Sequence, residues 1–310
     1  MKVTAAVIQT STVLLDTPAT VERALGLMKE AAAHGARVLV FPEAFLGGYP
    51  KGADFHIYLG GRTVQGRAEF KLYFDAAVTV DGPEIRILAK AAMEHKLYVC
   101  MGIIERDGGT LYCTAVHLGP DGQVLGKHRK LMPTALERLV WGFGDGSTLK
   151  AVDTPYGKMG AVICWENYMP ALRMAMYQQR IALYCAPTAD DRDTWVGTMQ
   201  HIAMEGRCFA LSACQNLRRS DFPSDRMNNR LPEGLDAVLM RGGSVIIDPL
   251  GEILAGPVRD QDALLTAELD LDAIAMGQLD FDVVGHYARP DVFSLQVNTA
   301  EQSAVSFVQR

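Results

Sequence analysis

Short, uninterrupted apolar runs constrain this chain more than any other feature. Val38-Leu39-Val40-Phe41, residues 159–163 and Ile181-Ala182-Leu183-Tyr184-Cys185 are too short for buried helices and have no polar face. Strands of that kind must be covered on both sides. Stretches with helical periodicity lie between them. Residues 3–9 read as a first strand. Asp16 or Thr17 then caps a helix in which Pro18 suits the first turn and Val21, Ala24, Leu25 and Met28 share a face, and Gly35 closes it. Helices are expected near 66–77 and 83–95. Three strands follow at 97–105, 110–118 and 123–128, turned by Asp107-Gly108-Gly109 and Pro120-Asp121-Gly122. The second half repeats the theme, with a strand near Val152, one at 159–163, a helix at 169–179, a strand at 181–185, a helix at 195–206 and a strand at 208–213. Residues 218–236 are polar and read as a loop or surface insertion, and strands at 243–248 and 264–269 close the pattern. Strands alternating with helices mean an α/β protein with buried sheets faced by helices. No compositional break divides it, so a single domain is expected over residues 1–295, followed by a tail at 296–310.

Composition narrows the partners. The chain has 310 residues, 49% of them hydrophobic, which is enough for a large core without disulfide or metal staples. With 30 basic and 36 acidic side chains the net charge is −6, which argues against nucleic acid as a partner. No apolar run is long enough to span a bilayer, and the first ten residues make a poor signal peptide, so a cytoplasmic or other reducing compartment is expected. Cysteines stand at 100, 113, 164, 185, 208 and 214, without C-x-x-C spacing or nearby histidine pairs at zinc-ligand distance. Neither disulfides nor a metal site nor an organic cofactor is expected. Cys100, Cys113, Cys185, Cys208 and Cys214 read as small buried hydrophobes, inert for want of exposure.

Cys164 stands apart. It directly follows the strand at 159–163, as Glu43 follows the strand at 38–41 and Lys130 the strand at 123–128. Ligands of α/β proteins sit outside strand ends, where reactive side chains collect. Taken singly, each of the three has a plainer reading: a solvated carboxylate, a surface charge, a core thiol. Their local segments carry more information. Phe41-Pro42-Glu43-Ala44-Phe45, His128-Arg129-Lys130-Leu131-Met132-Pro133-Thr134 and Cys164-Trp165-Glu166-Asn167 occur in that order. They resemble the three signature segments of the nitrilase superfamily of carbon–nitrogen hydrolases. Further matching segments are Gly47-Gly48-Tyr49-Pro50, Glu137-Arg138, Trp141-Gly142, Ala186-Pro187-Thr188-Ala189-Asp190 and Gly285-His286-Tyr287-Ala288-Arg289-Pro290-Asp291. Together they look like the true nitrilase branch, and the similarity runs from about residue 3 to residue 293.

The resemblance implies an αββα four-layer sandwich, homo-oligomers built from subunit pairs, and a catalytic triad of Glu43, Lys130 and Cys164. It also implies a second glutamate contributing to the site, matched by Glu137, whose plainer reading is a surface residue paired with Arg138. The implied substrate is a small-molecule nitrile, hydrolysed to a carboxylic acid and ammonia. Residue chemistry agrees. A nitrile carbon is electrophilic but carries no leaving group, so a strong nucleophile must add to it, and a thiol suits that role. A glutamate, ordinarily titrating at about 4.3, becomes a useful base when desolvation raises it. A fixed ammonium meets the charge that develops on nitrogen or oxygen, and the backbone N–H of Trp165 offers a second donor. The nearest competing reading is an amidase or carbamoylase of the same superfamily; Cys164-Trp165-Glu166 favours the nitrilase branch. Hydration stopping at the amide, and a catalytically silent assembly protein, are further alternatives. His128 and His201 suggest a Cys–His hydrolase only weakly, since no such signature accompanies them. Glu166 reads as a structural acceptor. Tyr49, Trp141, Tyr168, Pro187 and Trp195 are candidate pocket walls.

Overall fold

Alternation of small and branched apolar residues makes the strands two-faced, and the two faces go to different cores. In β1 (Lys2–Gln9), Ala5 and Val7 point into one cluster while Ala6 and Ile8 point into another. The computed structural model describes residues 1–222, 226–227, 230–232 and 234–305. Along the chain, β1 leads to α1 (Thr17–Ala33), β2 (Val38–Val40), α2 (Val64–Ala76), α3 (Pro83–His95), β3 (Tyr98–Asp107), β4 (Thr110–Leu118) and β5 (Val124–Arg129). The second half holds β6 (Lys158–Ala161), α4 (Pro170–Tyr177), β7 (Ile181–Thr188), α5 (Asp193–Gly206) and β8 (Phe209–Cys214). After these come β9 (Asn216–Arg218), β10 (Val238–Arg241), β11 (Val245–Ile247), β12 (Ile253–Ala255), β13 (Ala263–Asp270) and α6 (Asp272–Gly277).

The strands form a six-stranded sheet, β13-β1-β2-β3-β4-β5, and a five-stranded sheet, β12-β11-β8-β7-β6. Each has three parallel strands in its middle or at one edge (β1, β2, β3 and β6, β7, β8), extended by antiparallel neighbours. The sheets face each other through Ala5, Val7, Val38, Val40 and Cys100 on one side and Leu183, Cys185, Leu211, Ala213 and Ile246 on the other. On its outer face the first sheet carries α1 and α3, through Val21, Ala24, Met28, Ile85 and Leu88. The second carries α4 and α5, through Leu172, Met176, Trp195, Met199 and Ile202. The result is helix, sheet, sheet, helix, the four-layer sandwich of the nitrilase-like α/β class.

Local signals explain the helix ends. The Asp16 side chain accepts from Ala19 N at 3.0 Å and Pro18 occupies the first turn of α1. Pro83 opens α3, while α2 begins at Thr63, whose hydroxyl accepts from Gly66 N at 3.0 Å. Three expectations need correction. The strand near Val152 is a single bridge to Met159. The strands β9, β10 and β12 and the short α6 were not anticipated. The segment 218–236 is not a plain surface loop: β9 and β10 pair at its base, Phe222 and Met227 are buried, and Leu231 packs on the same core. Apolar anchors spaced among charges leave no period to read. Residues 223–225, 228, 229 and 233 of that segment and 306–310 of the tail lie outside the described residues.

Candidate active site

Three chain reversals at strand ends bring the site together. Glu43 follows β2, and its backbone passes so close to β3 that a side chain at Gly102 would stand 2.0 Å from Pro42 O. Only glycine leaves that space. The next residue, Ala44, is left-handed with φ 50°, and Gln215 Nε2 holds the Glu43 carbonyl at 3.0 Å. Lys130 follows β5, where its N–H donates to Cys113 O at 2.8 Å. Cys164 begins the 3-10 turn Cys164–Tyr168 after β6, with φ 51°. A non-glycine residue there costs about 1–3 kcal/mol and persists only when its surroundings enforce it. Asn167 does so, donating to Val162 O (2.9 Å) and Cys164 O (2.7 Å) while accepting from the Tyr184 hydroxyl at 2.8 Å.

Glu43, Lys130 and Cys164 lie together beneath the surface, exposed by 1%, 0% and 4%. Lys130 Nζ donates to Glu43 Oε1 at 2.6 Å and to Glu137 Oε2 at 2.8 Å. Glu137 belongs to the 3-10 turn Ala135–Leu139, where Thr134 N also donates to Oε2, at 2.6 Å. Its other oxygen accepts from the Tyr49 hydroxyl at 2.8 Å. Glu137 therefore faces the ammonium rather than Arg138, which turns to Ala135 O. Trp141 lies edge-on to Tyr49, 5.8 Å between ring centres, with Lys130 Nζ 5.6 Å from its own ring. Tyr49 and Trp141 thus border the cluster. Trp195 does not: it is buried in the outer helix layer, donating to Ser212 Oγ at 2.8 Å, and Tyr168 packs against it. Pro187 is buried within β7.

Electrostatics follow from this burial. Desolvation pushes the Glu43 carboxyl up; Lys130 opposes the shift and Glu137 adds to it. Desolvation also works against the Lys130 ammonium, but Glu43, Cys164, Cys113 and Glu137 outweigh it and hold Lys130 well above the ordinary lysine range. Burial, then the charge of Glu43, push the Cys164 thiol up, offset in part by Lys130 and by a hydrogen bond from Thr188. At rest the sulfur is a protonated thiol beside the Glu43 carboxyl.

Glu166 ties the two sheets at this point. Its carboxylate, 1% exposed, accepts from Leu131 N at 2.6 Å, Ile163 N at 2.9 Å and His128 Nε2 at 3.0 Å. Leu131 adjoins Lys130 and Ile163 adjoins Cys164, so one side chain sets the spacing of both. His128 is consumed by Glu166, and His201, exposed on α5, lies 3.6 Å from Glu205. Neither reaches the sulfur as a Cys–His pair requires. The structure adds Gly102, Gln215 and Cys113, for which sequence spacing offered no distinct signal, and Thr188, which lay in the matching segment 186–190 without an assigned role. Cys113, expected as a small core hydrophobe, is buried but also donates to Glu43 Oε1 at 3.4 Å. The segment 285–291 lies apart, its turn closed on Asp282, which pairs with Arg180 at 2.6 Å. Among the described residues, no three side chains converge as a metal site and no helix is long and apolar enough to cross a membrane.

Residues 4–276 match the family model for carbon–nitrogen hydrolase. The chain is 62% identical to an aliphatic nitrilase of Sinorhizobium fredii (strain HH103), over 98% of both chains. It is 54% identical to a bifunctional nitrilase/nitrile hydratase of Lupinus angustifolius, over 98% of this chain and 88% of that one. Among solved structures, Saccharomyces cerevisiae Nit3, a member of branch 10 of the nitrilase superfamily, superposes with a TM-score of 0.71 at 21% identity, covering 92% of this chain and 96% of that one. Fold and relatives define the class, a hydrolase acting on carbon–nitrogen bonds. The chain belongs to the carbon–nitrogen hydrolase family and, within it, to the nitrilase branch.

Proposed function

We propose that this nitrilase converts an organic nitrile and two waters to a carboxylic acid and ammonia, with Cys164 as nucleophile. Glu43 takes the thiol proton as sulfur adds to the nitrile carbon, and the proton passes to nitrogen to leave a thioimidate. Water adds to that carbon, ammonia departs, and a thioester remains; a second water releases the acid and restores the thiol. Lys130, and the backbone N–H of Trp165, meet the charge developing on nitrogen and then oxygen. Such preorganised donors are worth about 3 kcal/mol each. Glu137 keeps the Lys130 ammonium charged and aimed. The observation that carries this reading is the buried chain Tyr49–Glu137–Lys130–Glu43, with the Cys164 thiol buried close enough for the charges of Glu43 and Lys130 to act on it.

If the tetrahedral intermediate expels sulfur instead of ammonia, the amide is released. The Lupinus relative is named for both activities, and we extend an amide by-product to this chain. Aliphatic nitriles head the substrate class because the Sinorhizobium relative is named for them. Residues 1–295 form the catalytic domain, with 296–310 as a tail, and the protein acts in the cytoplasm as a homo-oligomer of at least two subunits. Ammonia release from a panel of nitriles, run beside the matching amides, tests the reaction. Ammonia from amides alone would replace this reading with the amidase one, and light scattering of the purified protein tests the oligomer.

A further inference from the structure

Cys113 sits on β4 at the wall between the sheets, a buried thiol for which the reaction above has no use. It touches two of the three charged residues in the cluster, Lys130 and Glu43. Its carbonyl accepts the Lys130 N–H at 2.8 Å, and its Sγ donates to Glu43 Oε1 at 3.4 Å. That oxygen also receives Lys130 Nζ at 2.6 Å. The other oxygen, Glu43 Oε2, is buried and has no hydrogen-bond partner among the described residues. A buried carboxylate oxygen without a donor is costly, and in this site it is the natural acceptor for an incoming proton.

We infer that Cys113 is a positioning residue: with Lys130 it occupies Oε1 of Glu43, and so assigns Oε2 as the atom that receives the Cys164 proton. The inference rests on the reading of Glu43 as the base. The groups facing Glu43 are Lys130 beyond β5, Glu137 in the following turn, Cys113 on β4, Cys164 beyond β6, Tyr49 in the loop after Glu43, Tyr73 on α2 and Cys214 on β8. Among the described residues, Cys113 is the uncharged group that donates to Oε1. Burial holds its thiol protonated, so it acts as a donor. A donor to the carboxylate favours the ionised form; without it, Glu43 stays protonated to higher pH and the attacking sulfur loses its base.

The test is alkylation of Cys164 by iodoacetamide in the full-length protein, followed by peptide mass from about pH 5 to 9. In that reaction the S–C bond forms, iodide leaves, and the thiol proton goes to Glu43. In the parent the rate rises as Glu43 ionises. C113A is expected to move that rise to higher pH by roughly 0.5–1 unit, and C113S, which keeps a donor, to leave it in place or lower it. An unmoved rise in C113A overturns the inference, as does a C113S shift equal to that of C113A, which would make the effect one of packing. E43Q separates the two layers of argument. If it abolishes the rise while C113A leaves it unmoved, the assignment of Cys113 falls and the base survives; if E43Q keeps the parental rise, both fall.

Discussion

Replacing Gly102 by alanine tests how the depth of Glu43 is set. The added Cβ would lie 2.0 Å from Pro42 O, 2.9 Å from Ala44 N and 2.9 Å from the Glu43 Cα. A carbon and a carbonyl oxygen approach no closer than about 3.3 Å, even in a weak hydrogen bond, so roughly 1.3 Å of overlap must be relieved. All three atoms are backbone and cannot rotate away. The first sheet is locked at this point by β2–β3 pairing, with Val40 opposite Cys100, and Phe41 N bonds Cys100 O at 2.8 Å. Relief must therefore come from the segment 42–44, which carries Glu43 away from Lys130 and Cys164. A displacement near 1 Å costs about 100-fold in rate, whereas overpacking of this kind costs about 1–3 kcal/mol in stability. Steady-state ammonia release measures the first, and circular dichroism with thermal unfolding the second. A folded G102A protein with parental kcat would refute the claim that this close approach places the base.

Cys164→Ala is expected to abolish turnover with the fold intact, and a slow nitrile is expected to leave an acyl-sized mass on Cys164; an adduct on Cys100 or Cys208 would remove the assignment. Glu166→Gln replaces one of two acceptor oxygens with a donor facing a buried N–H. The unsatisfied group costs about 1–3 kcal/mol, to be read as a lower denaturation midpoint, with kcat falling more than KM changes as Lys130 and Cys164 lose their common tether. The raised pKa of Glu43 fixes a pH sign: the base works only when ionised, so kcat/KM should fall as pH drops through a value above the ordinary glutamate range. An acid limb at or below that range would mean that another group controls it.

The α/β class, with buried sheets faced by helices, was legible because it depends on local periodicity: alternation in β1, the continuous run at β2 and the helical spacing of Val21, Ala24 and Met28 each state which face is covered, whereas the four-layer αββα arrangement was implied only by the family resemblance. The order of strands was not legible. Residues 263–270 join the first sheet beside β1 although they follow the second in sequence, a pairing that rests on contacts across almost the whole chain. Nor was segment 218–236 legible, since Phe222 and Met227 are anchors without a period.

The sequence by itself determined the chemical inventory: a carboxylate, an ammonium and a thiol, each directly after a strand, in segments that resemble one family. Only the tertiary structure decided how those groups act on one another. Whether Glu137 meets Lys130 or Arg138, whether Glu166 is a reagent or a structural acceptor, and whether Cys113 is filler or a donor to Glu43 all depend on distances that only the folded chain sets. The pKa shifts of the cluster share that origin, because desolvation arises only when the two sheets close over the charges.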